Sequence, residues 1–168
     1  YAERIGVPLL VAVIGLVGAV ATAAVAFALA RVSEASGRRR DGYAAATQEL
    51  LAWAEYPYRI KRRTGDDAAT LTQLANLGHE LQEALRYREA WIQAENPWVA
   101  GVFIEVRSEL GSLVGPCCAD AWNGGPVSGP AGMNLNGWGP SNVDETLQRF
   151  ERALRFRFGW RRWVALTR

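Results

Sequence analysis

Residues 7–30 read VPLLVAVIGLVGAVATAAVAFALA, with no charged side chain in the run. As an α-helix this stretch is about 36 Å long at ~1.5 Å per residue. The hydrocarbon core of a bilayer is about 30 Å thick, so the run is long enough to span it with some tilt. A core helix of a protein this small would not cover so long an uncharged segment. A secretory signal has its basic residues first and a shorter apolar region, which also does not fit. The reading is a single N-terminal transmembrane helix, assigned to residues 1–32.

Eight residues of the run are Ala, which favours lipid only weakly. Gly15, Ala19 and Ala23 recur at a spacing of four, flanked by Gly18, Thr22 and Ala26. That spacing stacks small side chains on one helix face. Small faces let backbones approach where lipid supplies no hydrophobic drive between helices. These six positions are the expected membrane-helix packing surface.

Charge is segregated outside the run. Residues 31–63 carry net +4, 64–145 net −8, and 146–168 net +6. A nucleic-acid binder would be basic more uniformly, so nucleic acid is disfavoured as a partner. Two basic zones around an acidic middle suit a body whose ends face anionic lipid. Arg38, Arg39 and Arg40 follow the apolar run closely, which predicts a cytoplasmic body and a cell-membrane location. The first residue is Tyr rather than Met, which leaves open a preceding segment.

The body reads as helices. Residues 33–42 are polar and basic, a juxtamembrane linker or loosened helical continuation. Tyr43, Ala46, Leu50, Trp53, Pro57 and Ile60 fall on one helix face. Pro57 predicts a kink or break near Tyr56. Gly65 is expected in a left-handed turn, with Asp66 or Asp67 capping a helix over 67–94. Asn96-Pro97 opens a third helix, which Gly115-Pro116 should end. Residues 123–141 hold six Gly and three Pro and predict one long irregular loop. Met133, Leu135 and Trp138 within it suggest packing on the body or on a partner. A last helix starts near 141–145 with Val143, Leu147, Phe150 and Leu154 as its core row. The expected fold is all-α: a transmembrane helix followed by a cytoplasmic helical bundle over 43–168.

The chain's end crowds basic and aromatic residues together. Arg155, Arg157, Trp160, Arg161, Arg162 and Trp163, with Arg38–40, are the expected membrane-surface or partner contacts. Aromatic rings sit well at headgroup level and Arg pairs with phosphate.

Chemistry is harder to find. His79 is the sole histidine, so a triad or multi-His metal site within the chain is excluded. Glu80 and Glu83 beside it are ordinary for a solvated helix. No glycine pattern matches a phosphate-binding loop. Cys117 and Cys118 are adjacent, either two reduced thiols or a vicinal redox pair. No catalytic, cofactor or metal residues are assigned, and no cofactor is expected. The functional expectation is a non-catalytic structural or adaptor subunit of a membrane assembly, contacting lipid and either its own copies or other membrane subunits. The alternative is an oligomeric membrane-perturbing or channel-like protein. Thr22 is the only polar side chain in the run, which weighs against a hydrated pore.

Overall fold

A computed structural model describes the backbone of residues 3–158 and the side chains of residues 23–158. Four α-helices carry the described chain: α1 (Glu3–Lys61), α2 (Ala68–Glu95), α3 (Pro97–Asn123) and α4 (Val143–Phe158). One short 3-10 turn, Pro130–Met133, interrupts the long loop. The chain divides into two compact units, one ending at Asp41 and one starting at Gly42.

In the first unit, α1 is helical through 33–42, where a linker was the other expectation. Among the described residues no helix is long and apolar enough to cross a membrane. The expected span therefore receives no support from the structure. The described side chains of that run begin at Ala23 and read AAVAFALA, too short to qualify. Gly15, Gly18, Ala19 and Thr22 lie outside the described side chains.

The second unit is an up-down-up-down bundle. Tyr43 meets Trp91 and Glu95, Glu49 meets Arg88, and Tyr56 meets Leu74, so 43–61 and α2 run antiparallel. Phe103 packs on Phe150 and Trp98 on Phe156, which makes α3 and α4 antiparallel as well. Short connections favour this arrangement for the first three helices, while α3 and α4 are joined by the long loop 124–142. The core is Tyr43, Leu50, Leu85, Ile92, Phe103, Leu110 and Phe150 with their neighbours, each almost wholly buried. A second cluster of Tyr56, Ile60 and Ala121 closes the far end, where α1 and α3 finish. These rows bury apolar surface worth about 1.5–3 kcal/mol per large side chain, the main stabilisation of such a fold.

Glycine sets how closely the first two helices approach. A Cβ on Gly42 of α1 would collide with the Trp91 ring of α2. A Cβ on Gly78 of α2 would collide with the Tyr56 ring of α1. At each end of the hairpin an aromatic ring of one helix lies over a glycine of the other.

Three local expectations are corrected. Pro57 does not break α1, which continues to Lys61. Its ring is fully buried, and the helix ends only one turn later, so core packing offsets the lost hydrogen bond. Gly115-Pro116 does not end α3, which runs through Pro116 to Asn123. Pro116 is on the exposed face, so the Ser112 carbonyl it leaves unpaired can be met by water, while Val114 and Ala121 stay in the core. The irregular loop therefore begins after Asn123. Positive φ in glycine occurs at Gly137 and Gly139, not at Gly65.

The helix starts follow the sequence. Asp67 accepts from the backbone N–H of Ala69 and Thr70, and Asn96 from that of Val99, with Pro97 at the first helical position.

Candidate functional site

The two ends of the bundle carry its distinctive polar chemistry. At the far end, Arg63 is buried and forks between helices. Its guanidinium donates to the carbonyls of Ile60, Ala121 (2.7 Å), Trp122 and Gly124, and to Asp66 at 2.5 Å. It also lies 5.7 Å from the Trp122 ring centre. The last carbonyls of a helix lack intrahelical partners, and a planar five-donor cation suits them. Arg63 thus ties the end of its own helix, α1, to the end of α3.

Beside it the long loop is pinned. Trp138 Nε1 and Lys61 Nζ both donate to Asp120 Oδ2 at 2.9 Å. The Lys61 ammonium sits 5.1 Å from the Trp138 ring centre, and Tyr58 meets that ring edge-on. Hydrogen bonds from Lys61 and Trp138 hold the Asp120 carboxyl below its ordinary range. Met133 is exposed, and its backbone carbonyl accepts from Arg62 at 3.3 Å.

At the opposite end, where residue 43 enters the bundle, Tyr43 donates to Glu95, and Arg157 donates to the same carboxylate at 3.0 Å. The Glu95 and Arg157 side chains are 11% and 13% exposed, so both charges are largely desolvated. Such a pair fixes geometry, because removing either partner strands the other. Burial, then the Glu95 hydrogen bond and charge, holds the Tyr43 hydroxyl protonated well above the usual tyrosine range; Arg157 opposes this. The Phe158 ring packs 5.5 Å from Tyr43.

This places the sequence-derived contact residues differently from one another. Arg157 is an internal clasp and not a surface group. Arg155 is 76% exposed and pairs with Glu151 one turn back. Arg38 is exposed and bonded to Glu34 at 2.6 Å, and Arg39 and Arg40 are also exposed. Ala23 and Ala26 are exposed on α1. Trp160, Arg161, Arg162 and Trp163 lie outside the described residues.

Sequence reasoning did not single out the groove between α3 and α4. Trp98, Val102, Val106, Ala153 and Phe156 line it, with Arg149, Arg152 and Glu105 as its charged residues, in an open volume of about 390 Å³. Trp98 and Phe156 are 54% and 58% exposed, with ring centres 5.5 Å apart. The signal was present as an aromatic at the first turn of α3 and another at the last turn of α4, but the pairing needs the antiparallel arrangement.

The cysteines are free thiols. Adjacent Cα atoms are ~3.8 Å apart, shorter than the roughly 4.4–6.8 Å that a disulfide spans, so a vicinal bridge does not suit this helix. Burial raises both, Cys118 to about 11, which keeps them protonated and weakly nucleophilic near neutrality. Among the described residues no cluster of three His, Cys, Asp or Glu could hold a metal ion.

No protein-family model, curated protein or solved structure matches the chain.

Proposed function

We propose that the protein is a non-catalytic, membrane-anchored structural or adaptor subunit, with residues 7–30 as its anchor and the bundle as its assembly module. The observation that carries this is the bare apolar surface of α1. Residues 23–34 are all exposed, and Val25, Phe27, Leu29 and Val32 are each at least 60% exposed. Phe27 lies on the opposite side of the helix from Val25 and Leu29, so the surface is apolar on both sides. A helix that is apolar all round is stable when lipid or protein surrounds it. The same character extends in sequence back to residue 7 without a charge.

Membrane fractions carrying the full chain test this. The chain is expected to stay with the membrane through alkaline carbonate washing. The double variant Leu16→Arg/Val20→Arg is expected to be extracted, since each Arg at a span's centre costs about 2.5–3.5 kcal/mol on insertion scales. A wild-type chain released by carbonate overturns the anchor. Particle mass in mild detergent tests the adaptor role. Gly15→Leu/Ala19→Leu should lower it, and a monomeric wild type overturns that role.

A further inference from the structure

We infer that the exposed Trp98–Phe156 groove and its flanking arginines form an interfacial docking surface for an anionic phospholipid membrane. The inference rests on the membrane-anchored reading and adds a second contact with the same bilayer.

Position is the first argument. Trp98 opens α3 and Phe156 closes α4, at the end of the bundle where residue 43 enters. The Glu95–Arg157 pair and the Phe158–Tyr43 contact fix the end of α4 there. Three of the large exposed apolar side chains of the bundle, Trp98, Phe156 and Phe158, thus gather at this end. Charge is the second argument. Arg152 is exposed, with a single weak bond to the Gln148 carbonyl at 3.3 Å, and Arg155 projects beside it. The chain leaves Phe158 at this same end and continues GWRRWVALTR, with three Arg, two Trp and no acid. Exposed rings framed by arginine match the headgroup layer, where rings sit at the apolar boundary and arginines meet phosphate. A protein helix in the groove would bury the rings but would not call for the exposed Arg152 and Arg155 on the α4 side of it.

The test uses the full chain in vesicles, with Cys117→Ser and Cys118→Ser as background. A bimane fluorophore is placed through Phe156→Cys, or through Met133→Cys in the loop at the other end of the bundle. Lipids spin-labelled near the headgroup quench a probe that touches the membrane. Quenching at position 156 and not at 133 is expected in phosphatidylglycerol-containing vesicles, and weaker quenching in pure phosphatidylcholine. Reversing Arg152 and Arg155 to Glu should lower the contact about 30-fold, the factor that ~1 kcal/mol for each of two basic residues near an anionic surface corresponds to. Equal quenching at 156 and 133 overturns the inference. So does a blue-shifted but unquenched probe at 156, which would mean that a protein covers the groove. Carbonate washing of the same vesicles separates the two readings. A resistant chain with an unquenched probe keeps the anchor and removes the docking surface; an extractable chain with a quenched probe does the reverse.

Discussion

At the residue scale, Arg63 shows how one buried charge fastens two helix ends together. Its four carbonyl partners belong to the ends of two helices, and its own backbone carbonyl accepts from Val127 at 2.8 Å. Lysine keeps the charge but not the fork. Arg63→Lys should therefore leave buried carbonyls unpaired, at about 1–3 kcal/mol. Arg59→Lys, on the exposed face, should stay within ~0.5 kcal/mol. Thermal melts followed by tryptophan fluorescence in mild detergent check this, and equal midpoints for the two variants would contradict the clasp. Composition could show that residues 59–63 are basic, but only contact with α3 picks out one of the four.

At the element scale, the hairpin of α1 and α2 depends on two glycines that propensity alone would count as flaws. Replacing a helical Gly by Ala ordinarily stabilises by about 0.5–1 kcal/mol. Gly101 and Gly111 in α3 have open space where a Cβ would sit, so Gly101→Ala and Gly111→Ala should raise the melting midpoint. Gly42→Ala and Gly78→Ala should lower it by roughly 1–3 kcal/mol of overpacking, because the Trp91 and Tyr56 rings occupy the Cβ positions. The opposite signs are the check: uniform stabilisation across all four would mean that the rings do not sit over these glycines. The helical rows themselves were legible, since apolar spacing identified Tyr43, Leu50, Leu147 and Phe150 as core. The fates of Pro57 and Pro116 were not, because local rules cannot tell a proline ring that fills a core from one that faces water.

At the scale of the whole molecule, the entry end of the bundle links stability to alkaline pH. Tyr43 at this end and Tyr56 towards the far end are both raised, chiefly by burial. A raised folded-state value means that the unfolded chain loses its proton first. Their stabilising contribution is complete below the ordinary tyrosine value of about 10, and it falls as pH rises above that towards the folded-state values. The melting midpoint should drop between about pH 10 and 12, and Tyr43→Phe should flatten part of that slope. An unchanged slope in the variant would place Tyr43 outside the buried cluster. The same end gathers the α3–α4 aromatic pair, so its integrity also governs whether the proposed membrane-facing groove is presented.

The sequence by itself determined that the chain is helical, where α2 and α3 start, which faces are apolar, and that residues 7–30 carry no charge. These are local properties, written in spacing, capping residues and composition. Tertiary structure decided which arginine is buried, which glycines let helices touch, where the loop is pinned, and that Trp98 meets Phe156. Those outcomes depend on pairs far apart in sequence. A single helix face cannot specify its neighbour's register; that is settled only when both faces are packed together and every buried charge has found its partner.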